Sequence, residues 1–274
     1  MYELTQDDEG LYRRIIKVDA KRNFVVFGMR KSGHHAITNW ITNFHIPAIH
    51  FNDCITVNNK IYSTVERLYV DNGFDNSIAS FSRHERRGSK QDEDNYNSIF
   101  KFVKDNKLET NIVTFESKEF LTNKDVISNN IDNITFVVVL RDVFNQYSEP
   151  RHPINHIWKE HAKLCLGNIN TDVDIIDVSF NSWFSDINYR EKLAERLGIE
   201  FDSCIDSYSI NEVPRPGASR FDSSNFNGNA QKMGVLSRYE LYNNIEEKID
   251  NEMVMLTKEY FNFVPDRFKS MLGG

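Results

Sequence analysis

Phe24-Val-Val-Phe-Gly-Met-Arg-Lys-Ser-Gly-His-His-Ala-Ile-Thr-Asn-Trp-Ile-Thr-Asn-Phe44 decides the fold. Residues 24–27 are a short, continuous apolar run, the pattern of a parallel strand buried on both faces. Gly28 and Gly33 bracket four loop residues, Met29 to Ser32. Ile37, Trp40, Ile41 and Phe44 then recur at i, i+3, i+4 and i+7, one face of a helix. A helix that starts near Gly33 points its first N–H groups and its positive dipole end into the loop. Strand, tight loop and helix start together make an anion site, suited to phosphate or sulfate.

The nucleotide-binding P-loop, G-x-x-x-x-G-K-[ST], shares the two glycines. His34 and His35 stand where its lysine and its magnesium-ligating hydroxyl belong, and the lysine lies inside the loop as Lys31. Lys-Ser-Gly followed by a helix resembles the 5′-phosphosulfate loop of the sulfotransferases. That resemblance implies 3′-phosphoadenosine-5′-phosphosulfate (PAPS) as cofactor, no metal, and contacts from Arg30, Lys31, Ser32, Gly33, His34 and His35. The alternative for the stretch alone is a plain β–α turn.

The chain has 274 residues, enough for one α/β domain with a sizeable core. Lys plus Arg number 33 and Asp plus Glu 40, and the net charge of −7 argues against a general nucleic-acid or membrane-surface binder. Cys54, Cys165 and Cys204 are far apart and odd in number, so neither a disulfide framework nor a zinc pattern is present. The start, MYELTQDDEG, is acidic and has no signal h-region, and no run approaches a membrane span. Carbohydrate sulfotransferases of eukaryotes usually carry an anchor, so a cytoplasmic protein is expected. Asn133-Ile-Thr matches a glycosylation sequon but abuts a core strand, and reads as chance.

Residues 11–20 read as a short strand or lead-in, 46–50 as an extended link, and 51–110 show no strong period. Within them 83–94 is a dense charge run, a solvated loop or, in functional terms, a lid. Residues 96–105 read as a helix. Strands are expected at 112–115, at 135–140 (the most apolar, hence central) and at 173–178, whose aspartates suit an edge. Helices are expected at about 154–166 and from Ser185 or Asp186 to Leu197. A final helix carries Leu241, Ile245, Ile249, Met253, Leu256 and Tyr260. Residues 213–234 read as a long loop. The expectation is a single α/β domain over 1–274, a mainly parallel sheet flanked by helices in sulfotransferase-like architecture.

In such sheets ligands bind beyond the carboxyl ends of the strands, where the loops carrying Lys31, Glu116 and Arg141 leave. Leu140-Arg-Asp-Val-Phe-Asn-Gln-Tyr-Ser148 resembles the sulfotransferase strand end, whose arginine and later serine bind the cofactor 3′-phosphate. Arg141 suits that role as a guanidinium fork. Ser148 lies seven residues on, where the family serine lies eight, and Glu149 takes the usual place. The alternative for Arg141 is a surface salt bridge. Val178-Ser-Phe-Asn-Ser-Trp183 resembles the family's later strand, with Phe180 beside the adenine or, in the plainer reading, in the core. The loop 213–234 lacks the family's Arg-Lys-Gly; Arg215, Arg220 and Lys232 are the substitutes, or simply solvated.

The resemblance implies transfer of a sulfuryl group to an acceptor hydroxyl or amine on a small molecule or glycan. Lys31 is the catalytic cation and Glu116 the expected base, with His35 and His84 as alternatives; an ordinary strand-end carboxylate is the bland reading of Glu116. His152, His156 and His161 have no metal spacing and read as structural. Two other classes stay open: a magnesium-dependent kinase-like enzyme, and an anion- or glycan-binding protein without activity.

Overall fold

The computed structural model describes residues 13–14, 20–63, 65–69, 77–82, 101, 105, 107–148, 154–212, 223–242 and 244–273. The architecture is α/β: a mainly parallel five-strand central sheet flanked by helices. The chain divides into two compact units, one of Met1–Phe27 and His45–Phe136, the other of Gly28–Phe44 and Val137–Gly274. The charge run 83–94, most of 96–105, residues 149–153 and both Arg215 and Arg220 lie outside the described residues.

The first unit carries strands β1 (Arg13–Arg14), β2 (Ala20–Gly28, its last residue aside), β3 (Ala48–Asn52), β4 (Ile55–Val57) and β5 (Lys60–Ser63). It continues with β6 (Val65–Tyr69), β7 (Ser77–Ser82) and β8 (Leu108–Glu116). In the seven-stranded sheet these follow one another as β2-β8-β3-β6-β7, with β6 and β7 an antiparallel extension, while β1, β5 and β4 form a small separate sheet. β3 pairs parallel with β8, placing Ile49 opposite Asn111, and antiparallel with β6. The expected link at 46–50 is therefore the start of a strand. The silent stretch from 51 to 110 holds short antiparallel strands, each too brief to show a period. Phe27 stacks on Phe115 at 5.0 Å and meets Phe120 edge-on at 5.1 Å. Each such pair contributes about 0.5–1.5 kcal/mol beyond area burial. Polar residues inside these strands find one another: Asn111 Nδ2 donates to Asn23 Oδ1, and Asn23 Nδ2 to the Asp132 carbonyl.

The second unit holds most of β9 (Ile134–Leu140) and β10 (Ile175–Ser179), the latter at the sheet edge, as its aspartates suggested. Its helices span His34–Asn43, Val143–Tyr147, Asn155–Cys165, Phe180–Ser185, Ile187–Arg196, Ser203–Asn211 and Asn251–Phe261. Met29, Leu140, Phe144, Trp158, Met253 and Phe268 belong to its core cluster. The last helix is shorter than its apolar period. Asp250 accepts from the Met253 N–H and starts it there. Leu241 ends a 3₁₀ turn and is exposed, while Ile245 and Ile249 are buried without being helical. No described helix is long and apolar enough to cross a membrane.

Candidate anion site in the second unit

The loop between β2 and the His34–Asn43 helix is a tight turn. The Ser32 N–H donates to the Met29 carbonyl at 3.0 Å, and Met29 is sunk in the core. Lys31 adopts φ 68 and Gly33 φ 86, both left-handed. For lysine that geometry is strained, and strain of this kind gathers at ligand sites. Gly33 is required twice over, since a Cβ there falls 2.1 Å from Phe180 ring atoms. Gly28 is nearly as constrained, because its Cβ falls 2.6 Å from the His34 Cβ. Arg30 is exposed, Lys31 half-buried and Ser32 fully buried.

Asp142, Ser179, Asp186, Asp202 and Asp250 each cap a helix of this unit with a side-chain oxygen. The His34–Asn43 helix starts on Gly33 with no side-chain cap and no acidic residue in its first turn. An anion is the physical complement of such a start. The Ser32 Oγ and His34 Nδ1 lie 3.3 Å apart, and the His34 and His35 rings are 4.0 Å apart, centroid to centroid.

Arg141 leaves the end of β9 and is only 2% exposed. Its Nη1 donates to the Lys31 carbonyl at 3.0 Å and its Nη2 to the Val235 carbonyl. Its guanidinium carbon lies 5.2 Å from the centre of the Phe180 ring. The arginine thus joins the loop that carries the lysine, and it is a covered side chain. Phe180 is buried between Gly33 and Arg141. Ser148 is also fully buried, and its Oγ donates to the Asn145 carbonyl at 2.7 Å, one helical turn back.

Two residues absent from the sequence-derived set belong to this corner. Asn145 donates to the Leu236 carbonyl at 3.0 Å and accepts from the Arg238 N–H at 2.8 Å, latching residues 235–238 beside Arg141. Gln146 Nε2 donates to the Arg30 carbonyl at 3.1 Å. An Asp three residues ahead of Asn145 was the available cue. Asp142 Oδ1 accepts from the Asn145 N–H, and Oδ2 from the Asn145 and Asn181 side chains, so a capped turn starts directly after Arg141. Lys232 is exposed at the end of a 3₁₀ turn. Glu116 belongs to the first unit, half-buried at the end of β8, ahead of Ser117 with its left-handed φ of 55.

No protein-family model matches this chain, and no curated protein matches it in sequence. Among solved structures it is similar to a sulfotransferase domain from the olefin synthase of Synechococcus PCC 7002, at a TM-score of 0.50 and 9% identity. The match covers 96% of this chain and 100% of that domain, so the fold is sulfotransferase-like.

Proposed function

We propose that this protein is a sulfotransferase that moves a sulfuryl group from PAPS to an acceptor hydroxyl or amine, such as one on a carbohydrate. The observation that carries the reading is the Lys31-Ser32-Gly33 turn: a lysine in left-handed geometry at a helix start that no side chain caps. The likeness in fold to a sulfotransferase domain supports it. The residues of the turn fit the cofactor's 5′-phosphosulfate, because amide donors, a dipole end and a cation suit an oxyanion. The cofactor supplies the sulfuryl group.

Lys31 would stabilise the negative charge left on the departing group when the sulfuryl group passes to the acceptor oxygen or nitrogen. The leaving group is the 3′,5′-bisphosphate. The first amides of the His34–Asn43 helix hold its 5′-phosphate. Glu116 takes the acceptor proton. Arg141 would hold the 3′-phosphate, whose charged oxygens are stronger acceptors than a main-chain carbonyl. The covered state of Arg141 favours one other reading, an anion- or glycan-binding protein on the same fold that transfers nothing.

Calorimetry with 3′,5′-adenosine bisphosphate, in buffer without magnesium, tests the proposal. Ligand at 100 times its Kd should stabilise the fold by about 2.7 kcal/mol. Binding of ATP only with magnesium overturns it in favour of a kinase-like enzyme. Lys31→Ala should lower transfer by about a hundredfold or more with little change in Tm. Binding with no transfer to any acceptor selects the non-enzymatic reading.

A further inference from the structure

We infer that Gln146 is a positioning residue for the anion loop, orienting the Lys31 peptide for its ligand. Gln146 is 0% exposed and sits in the short Val143–Tyr147 helix that follows Arg141. Its Nε2 donates to the Arg30 carbonyl at 3.1 Å. Arg141 Nη1 donates to the next carbonyl, that of Lys31, at 3.0 Å. Two consecutive loop carbonyls are therefore held by side chains five residues apart.

The peptide between Arg30 and Lys31 is planar and trans, so its N–H points opposite to its carbonyl. Gln146 draws the carbonyl back and thereby turns the Lys31 N–H to the other side. The same hold stabilises the left-handed φ of 68 at Lys31, a conformation that a lysine adopts only when its surroundings impose it. A left-handed residue next to a right-handed one turns successive backbone amides into an anion-binding concavity.

A second feature separates this role from plain packing. Gln146 Oε1 is buried and has no hydrogen-bond partner. A buried unpartnered acceptor opposes folding. For the fold alone an apolar side chain of the same length is the better occupant, so the amide is explained by what its Nε2 does to the loop. This inference deepens the reading of the loop as the cofactor's phosphosulfate site and rests on it for the ligand used below.

Two variants test it, Gln146→Met and Gln146→Glu, each by amide hydrogen exchange without ligand, thermal melting, and calorimetry with 3′,5′-adenosine bisphosphate. In Gln146→Met, exchange at Lys31 to Gly33 should quicken and bisphosphate affinity fall about tenfold, while Tm holds or rises. Gln146→Glu should lose more affinity, because its carboxylate accepts only, repels the Arg30 carbonyl and adds a negative charge behind the loop that binds the anion. Unchanged exchange in the Met variant overturns the inference. So does a fall in affinity matched by a fall in Tm, which marks a structural residue. If wild-type protein ignores the bisphosphate, the sulfotransferase reading fails, and the exchange arm still decides whether Gln146 positions the loop.

Discussion

Arg190 and Arg141 are both buried arginines of the second unit, 4% and 2% exposed, yet they are built differently. Arg190 meets Asp206 in a two-point fork, Nε to Oδ1 at 2.8 Å and Nη2 to Oδ2 at 2.9 Å. Its Nη1 donates to the Trp183 carbonyl at 2.9 Å, and Trp40 Nε1 also donates to Asp206. Charge meets charge there, and the Ile187–Arg196 and Ser203–Asn211 helices are joined to the His34–Asn43 helix through one carboxylate. Arg141 instead donates to two main-chain carbonyls, those of Lys31 and Val235. One arginine braces helices against each other. The other holds a loop and the 235–238 segment, and its carbonyl partners are ones that an anion outbids.

The largest effect should come from Asp206→Ala. It leaves a buried guanidinium without its carboxylate and the Trp40 indole without its acceptor, a loss of about 3–5 kcal/mol in denaturant unfolding. Bisphosphate affinity in the still-folded fraction should stay near that of wild type. A loss below about 1 kcal/mol, the scale of an exposed pair, would dissolve the contrast between the two arginines.

Arg141→Lys comes next. An ammonium on a flexible stem cannot replace a planar fork that spans two carbonyls and lies over Phe180. Stability should fall by about 1–2 kcal/mol, less than for Asp206→Ala, while bisphosphate affinity drops at least tenfold. Affinity that survives this change would make Arg141 a brace like Arg190 and remove its part in the 3′-phosphate.

The smallest effect is expected at a histidine of the first unit. His45, in the first unit, stacks on Phe24 and keeps its Nε2 buried without a hydrogen-bond partner. Burial, aided by the charge of Arg22 and opposed by Glu109, pushes its pKa down to about 4. The unfolded histidine protonates near pH 6.5, so the unfolded state binds more protons between the two values. This contribution to stability is complete above pH 6.5, declines as pH falls toward 4, and levels off below. His45→Phe should flatten that part of a pH–stability profile. An unchanged slope in the variant assigns the acid sensitivity elsewhere.

Strand β9 and the Met29–Gly33 turn were legible because their signals are local. A run of valines buried on both faces has one home in an α/β sheet, and a Gly-bracketed turn with a lysine needs no distant partner to be recognised. β3 was not legible as a strand, since five residues after a proline carry too few positions to show a period. The last helix was overextended because Ile245 and Ile249 are buried for tertiary reasons and happen to continue its apolar spacing. Ser148 is expected at the phosphate from its position in the chain, and its hydroxyl donates to the Asn145 carbonyl, a detail that position does not encode.

By itself the sequence determined the α/β class, the turn with Lys31 at its apex, and the arginine at the end of the most apolar strand. Those depend on period, glycine placement and side-chain chemistry, all written within a few residues of one another. Tertiary structure alone decided what Arg141 holds, that Phe180 fills the space over Gly33, and that Gln146 and Asn145 belong to the same corner. Each of these rests on a hydrogen bond or contact between residues about 90 to 150 positions apart. A donor's partner is set by where the backbone carbonyls of other segments come to lie, and no local pattern encodes that.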